Sequence, residues 1–248
     1  MDDRGTQLAT TFARVARTML AEERDLDTIL REIVAVAVAE IDACETAGIE
    51  LVEKRVIRPV VASSEVARRI SEVQNEVGEG PCLSAIEEHE TFRTDDLETD
   101  DRWPAFAARA RTVTDVRSII GFRLFAEEDT MGALNLYSSK PNAFDEHASA
   151  IGSILAAHAA IAMSWARERE YMQAAVHNRD VIGQAKGLLM ARENITGDAA
   201  FELLRDASQR LNVKVHRLAE QLIDQTDPAI GVDLLLQSES GSTTLPNS

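Results

Sequence analysis

The chain has little cysteine, two residues in 248, Cys44 and Cys82. That excludes a disulfide-stapled scaffold and any zinc site built on Cys-x-x-Cys spacing. Aromatic residues make up only 4% of the chain, so a core must be mainly aliphatic, and the alanine-rich runs point to helices. Bases are the minority, 26 Lys and Arg against 42 Asp and Glu, for a net charge of −16. Such a protein does not coat nucleic acid or an anionic membrane by bulk attraction; a small local basic patch is still compatible. The start, Met1-Asp-Asp-Arg-Gly5, lacks the basic and apolar regions of a secretory leader. No run approaches the roughly 18 strongly apolar residues of a membrane span. The longest weakly polar stretch, Ala148 to Trp165, contains His158 and three serines and reads as a soluble helix. A cytoplasmic protein with no membrane partner is expected. There is no GxSxG, HExxH, P-loop or dinucleotide fingerprint, and His89, His147 and His158 lack metal-ligand spacing. The expectation is therefore not an enzyme, with no cofactor or metal required by the sequence.

What is present is ordinary in amount and uneven in arrangement. Apolar residues are 45%, enough for a packed core, and the length suits one large domain or two small ones. Residues 1–166 carry 17 bases and 30 acids, residues 167–224 nine of each, and residues 225–248 three acids and no base. Thr6 to Glu23 has helical spacing, and Asp25 is placed to cap a second helix with Ile29, Ile33, Val36 and Ala37 on one face. Two β-type runs then flank Glu53-Lys54-Arg55 as a hairpin. Ser64 to Val77 reads as an amphipathic helix closed by Gly78, and Pro81 starts a short one. Residues 92–112 mix a short strand with a helix started near Trp103-Pro104, and Val116 to Glu127 with Met131 to Ser139 form a second hairpin around Glu128-Asp129-Thr130. Adjacent hairpins predict an α+β fold, an antiparallel sheet with helices to one side. A receiver domain would alternate strand and helix, and the acidic pairs Asp95-Asp96 and Asp100-Asp101 fall in a loop instead.

From Asp145 to Arg192 there is no proline, and a helix of that span is on the order of 70 Å long. Ile151, Ile154, His158, Ile161, Trp165, Met172, Ala175 and Ile182 recur at spacings of three and four, interrupted at Glu168 and Arg179. A helix of that length cannot bury its face in a small domain, so the stripe predicts a parallel coiled-coil homodimer. The seam residues are Ile151, Ile154, Ile161, Trp165 and Met172. The alternative is that only the first half packs, on its own sheet. After a break at Asn194 to Gly197, Ala199 to Leu211 and Val213 to Ile223 read as two short helices. Their faces, Phe201, Leu204, Ala207 and Leu211 with Val215, Leu218, Ala219, Leu222 and Ile223, would close a three-helix core on Ile182, Ala185 and Leu189. The tail from Ser238 to Ser248 is rich in Ser, Thr and Gly and reads as disordered.

The string Arg179-Asp-Val-Ile-Gly-Gln-Ala-Lys-Gly-Leu-Leu-Met-Ala-Arg192, followed by Ala200-Phe-Glu-Leu-Leu-Arg-Asp-Ala-Ser-Gln209 and Arg217-Leu-Ala-Glu220, resembles the ANTAR domain. That is an RNA-binding module of bacterial transcription antitermination regulators, and the likeness covers roughly Ala174 to Ile223. The N-terminal part is similar to GAF sensor domains, on Gly78-Glu-Gly-Pro-Cys82 and Gly132-Ala-Leu-Asn-Leu-Tyr137. The order GAF then ANTAR resembles an actinobacterial architecture. It implies a dimer that binds leader RNA at paired hairpins and stabilises an antiterminator, with the sensor and its small-molecule ligand in control. The organisation expected is a GAF-like sensor at 1–146, a signalling coiled-coil helix at 147–173, an ANTAR domain at 174–224 and a disordered tail at 225–248. The GAF signature for cyclic nucleotides, a spaced Asn-Lys, Phe and Asp-Glu set, is not reproduced by Asn135, Lys140 and Phe144-Asp145-Glu146.

RNA loops are read through phosphates, base edges and stacking. The candidates are Arg179 and Lys186, seven apart on one helix face, Arg205 and Gln209 on the next helix, and Lys214 and Arg217 on the last. Lys186, Arg205, Lys214 and Arg217 come from three helices that share one small core and are expected to converge on one surface. Gly183 and Gly187, four apart, make a smooth strip, open to RNA approach or to tight helix packing within the core. The segment has no Tyr or Trp beyond Tyr171 at its edge, so stacking falls to arginine planes. The other reading of these bases is a solvated face with pairs such as Asp206–Arg210. Cys82 at a helix start is a candidate ligand or redox residue or a small buried hydrophobe; Cys44 reads as core. The competing function is a DNA-binding regulator using the last two helices as a helix-turn-helix, and a third is a dimeric signalling scaffold without nucleic acid.

Overall fold

Asp25 opens the first fully described helix as expected: its carboxylate accepts the Thr28 amide at 2.8 Å, and α1 runs Leu26–Glu40. The computed structural model describes residues 25–53, 56–87, 92–126 and 129–224, with Thr10, Phe12, Ala13 and Arg17 ahead of them. Most of the helix expected over Thr6 to Glu23, the turn residues Lys54, Arg55, Glu127 and Glu128, and the tail therefore lie outside the described residues. The chain divides into two compact units, Met1–Arg167 and Glu168–Ser248.

In the first unit the elements follow the expected order: β1 (Thr46–Glu53), β2 (Val56–Ala62), α2 (Glu65–Val77), α3 (Pro81–Glu87), β3 (Phe92–Thr94), α4 (Pro104–Val113), β4 (Ser118–Ala126) and β5 (Asp129–Ser138). They form one antiparallel sheet of order β2-β1-β5-β4-β3. Ser64 caps α2 and Gly78, at φ 73°, ends it. Pro59 sits on the edge strand, beside a register shift between Ile49 and Glu50, where its missing N–H costs no ladder bond.

The expectation of helices on one side of the sheet is corrected. Strand residues alternate between faces, and both faces are covered. Ile49, Ile120, Phe122, Leu134 and Leu136 pack with α1 and with Ala148 to Met163 of α5, the helix Glu146–Glu193. Ile119 and Tyr137 pack with Ala67, Ile70 and Val73 of α2 and Phe106 and Ala110 of α4. The boundary expected at 146 falls inside this first core, because the opening turns of α5 supply its Ala and Ile contacts. Ile151, only 2% exposed, is one of them. It therefore leaves the expected seam: three residues before Ile154, it is turned about 60° towards the sheet.

One helix, Glu146–Glu193, is long and apolar enough by length and composition to cross a membrane, and 50% of its apolar window is buried inside the protein. The buried side of its opening turns, with Ile151 and Leu155, belongs to the core just described.

In the second unit the remainder of α5 joins α6 (Gly197–Leu211) and α7 (Val215–Asp224). Thr196 caps α6 through the Ala199 amide at 3.3 Å, and Asn212, left-handed at φ 52°, ends it. The core is Val181, Ala185 and Leu189 with Ala200, Leu204, Ala207, Leu218, Ala219 and Leu222. The expected face of α6 is corrected at both ends: Phe201 and Leu211 are exposed, and Ala200 is inside. Positions 200 and 201 both match a helical period with 204 and 207, and a core built with Ala185, Ala207 and Ala219 takes the smaller one.

Candidate functional site

The basic side chains of the second unit fall into two groups. Arg179, Lys186 and Lys214 make no ion pair among the described residues, whereas Arg205 is held by Glu202 and lies 3.7 Å from Asp206, and Arg217 lies 3.5 Å from Glu220. Gln209 is exposed on α6. An unpaired exposed cation is the kind that gains a counter-charge when a phosphate arrives. The structure brings Lys186 to α6: its Nζ lies 5.8 Å from the centre of the Phe201 ring, and Arg205 follows Phe201 by one turn. Arg217 sits elsewhere, with Glu220, whose carboxylate is 3.7 Å from His177 Nε2. His177 and Lys186 are nine residues apart on α5, which is about 180° around a helix. The Lys186 and Arg217 groups therefore occupy opposite flanks of α5, and the expected convergence on one surface is not what the structure places there.

Phe201 is the residue sequence reasoning missed as a surface group. It was counted in the core because its period fitted; the signal against it was size, an aromatic ring among alanines. Around it, Met190 is exposed, and a Cβ added at Gly197 would meet Met190 Sδ at 3.4 Å and Lys186 Cε at 3.7 Å. Gly197 thus lets both side chains lie over the start of α6.

A Cβ at Gly183 or Gly187 would meet nothing within 4 Å. This settles one alternative: the two glycines are not there for packing inside the three-helix core. Each costs a helix up to about 1 kcal/mol relative to Ala.

On α5, the remaining expected seam residues are on the surface: Ile154, Ile161 and Trp165 are 41%, 44% and 49% exposed in the first unit, and Met172, with Tyr171 and Val176, is exposed in the second. His158 lies between the first two, its Nδ1 2.7 Å from the Ile154 carbonyl oxygen.

The first unit has an internal polar cluster that the sequence did not announce. Glu50 on β1 is buried, and its carboxyl accepts the Ser71 hydroxyl, the Asn135 amide at 2.9 Å and the Tyr137 hydroxyl at 3.1 Å. The Cys82 thiol hydrogen-bonds the same group. No Lys, Arg or His is among these donors. Burial pushes the Glu50 pKa up, against the four hydrogen bonds that pull it down. Asn135 Oδ1 is buried without a partner among the described residues. A charged residue in β1 reads from sequence as a solvent position; α2 and α3 cover that face instead. Cys82 is fully buried, and burial, then Glu50, pushes its thiol well above the ordinary value. Of the two readings of Cys82, its full burial matches the small buried residue. Cys44 is buried as expected, its thiol raised to about 12 by burial. No group of three metal-binding side chains occurs among the described residues.

A covered antiparallel sheet with a buried polar centre, followed by a three-helix module with unpaired surface cations, defines a two-domain regulatory protein. The chain belongs to the GAF domain family, which matches residues 23–164, and carries an ANTAR domain over residues 170–223. The ANTAR match implies an RNA-binding antitermination regulator and the GAF match a sensor; neither is a catalytic domain. Solved structures share the fold. The GAF domain of a phosphoenolpyruvate-protein phosphotransferase from Coxiella burnetii has a TM-score of 0.54 at 14% identity, covering 68% of this chain and 99% of that one. A free methionine-R-sulfoxide reductase from Neisseria meningitidis has a TM-score of 0.53 at 18% identity, over 68% of this chain and 95% of that one. Some proteins of this fold are thus enzymes. No curated protein matches the chain.

Proposed function

We propose that the protein is a sensor-regulated antiterminator that acts in the cytoplasm as a homodimer, binding a leader RNA with two hairpins through its 174–224 region. The observation that carries the reading is the pair of open glycines beside the unpaired Lys186: a helix that accepts two glycines with no internal neighbour presents bare backbone to an outside partner. RNA backbone and base edges are such a partner, and Lys186, Arg179 and Lys214 supply its counter-charge. Ile154, Ile161, Trp165 and Met172 form the seam that holds two modules together. A small molecule bound by the sensor governs that pairing. Electrophoretic and anisotropy measurements with a tandem-hairpin RNA and with duplex DNA of equal length test this. Preference for the hairpin RNA is expected; equal or tighter binding to the duplex overturns the reading in favour of a DNA-binding regulator, and binding to neither in favour of a scaffold.

A further inference from the structure

We infer that the exposed ring of Phe201 is a stacking platform for an unpaired base of the bound RNA, with the glycine strip of α5 as the wall along which that nucleotide's backbone lies. The inference rests on the RNA-binding reading and deepens it: the module reads loop nucleotides, not paired stems.

Three observations carry it. Phe201 is 37% exposed, although the core beside it is filled by small and aliphatic side chains. An aromatic ring left at the surface of so small a module needs an external partner, and every nucleobase offers a π-face to one. Lys186 holds its ammonium 5.8 Å from the ring centre, within the outer reach of a cation–π contact. An ammonium so placed can move to the phosphate flanking a stacked base at little cost, because it has no carboxylate partner among the described residues. Gly183 stands one turn before Lys186 and Gly187 next to it, both facing open space. A side chain at either position would project about a methyl group's width into the path of a nucleotide beside the ring. Paired bases are excluded by geometry: in an A-form stem the π-faces are stacked on one another and only edges are accessible. The base that meets Phe201 must come from a loop.

The test uses the full chain and a pool of tandem RNA hairpins with randomised loops, enriched on the wild-type protein. Phe201→Leu keeps an apolar side chain at the start of α6 and removes the π-face. It is expected to weaken the enriched RNA about tenfold or more, the scale of one lost base stack, with its salt dependence unchanged. Gly183→Ala is expected to weaken the same RNA while raising the melting temperature, so misfolding does not account for its loss. A 2-aminopurine placed at successive loop positions should be quenched by the wild type at one position and not by Phe201→Leu. Undiminished affinity and quenching in Phe201→Leu, or undiminished affinity in Gly183→Ala, would overturn the inference while leaving RNA binding intact. Failure of the wild type to enrich any hairpin overturns the RNA reading itself, and this inference with it.

Discussion

Glu50 shows how one buried group ties stability to pH. Its carboxyl faces Ser71 and Cys82 from the helices and Asn135 and Tyr137 from β5, four donors without a cation. Burial raises its folded-state pKa above the unfolded value. The folded state then binds the proton more tightly than the unfolded one, so this contribution is fully present below the unfolded pKa and is lost as pH rises through the folded pKa. Glu50→Gln keeps the shape and carries no charge to desolvate. It is expected to raise the melting temperature at pH 7.5 by a few degrees, on the order of 1 kcal/mol, and to flatten the loss of stability as pH rises past the ordinary glutamate range. Calorimetric melts of both proteins from pH 4.5 to 8 check this; a Gln variant less stable than the wild type at pH 7.5 contradicts it.

The helix α5 serves different partners on different faces. Towards the sheet it presents Ile151, Leu155 and Ala159; outward it presents Ile154, Ile161 and Trp165; and further on Val181, Ala185 and Leu189 face α6 and α7. Ile154, Ile161 and Trp165 are spaced seven and four apart, within about 20° of one line at 100° per residue. The separation of faces makes the seam testable without harming the fold. Ile161→Asp places a carboxylate on a surface that is exposed in the single chain, so the sensor should melt normally while sedimentation shows a shift from dimer to monomer. Ile151→Ala should do the opposite, lowering stability by about 2–5 kcal/mol through a core cavity and leaving association unchanged in the folded fraction. An unchanged dimer in Ile161→Asp would place the seam elsewhere.

For the whole molecule, charge decides how RNA is held. With a net charge of −16 and most of the excess acid in residues 1–166, long-range attraction is absent and local contacts must supply the affinity. On the proposed reading, two modules in a dimer would add avidity, commonly about 10²–10⁴-fold when the geometry fits. Lys186→Ala and Lys214→Ala should then each weaken binding and lower the slope of log affinity against log salt by about one, the loss expected for one phosphate contact each. Melting temperatures should barely move, because neither side chain has an ion pair among the described residues to lose. Anisotropy titrations across a salt series measure both. Full affinity in the folded double variant would remove these two lysines from the interface.

The sequence by itself determined the element order, the helix ends at Asp25 and Gly78, the two hairpins and the two families. Each of these depends on local rules: a side chain that accepts an amide three residues on, a period of two or of 3.6, a run of motif residues. What only the tertiary structure decided was which side of an element is inside. Nothing local in the sequence marks Glu50 as buried, and it is α2 and α3 that cover its face; Ile151 and Ile154 fit one stripe, and the sheet claims the first; Ala200 and Phe201 fit one helical face equally well. Periodicity tells which residues share a face, and it cannot tell how many faces will be covered, because burial depends on the volume and distance of elements far away in the chain. Gly183 and Gly187 are undecided by sequence for the same reason, and the open space beside them, visible only once the three helices are packed, places them outside the core.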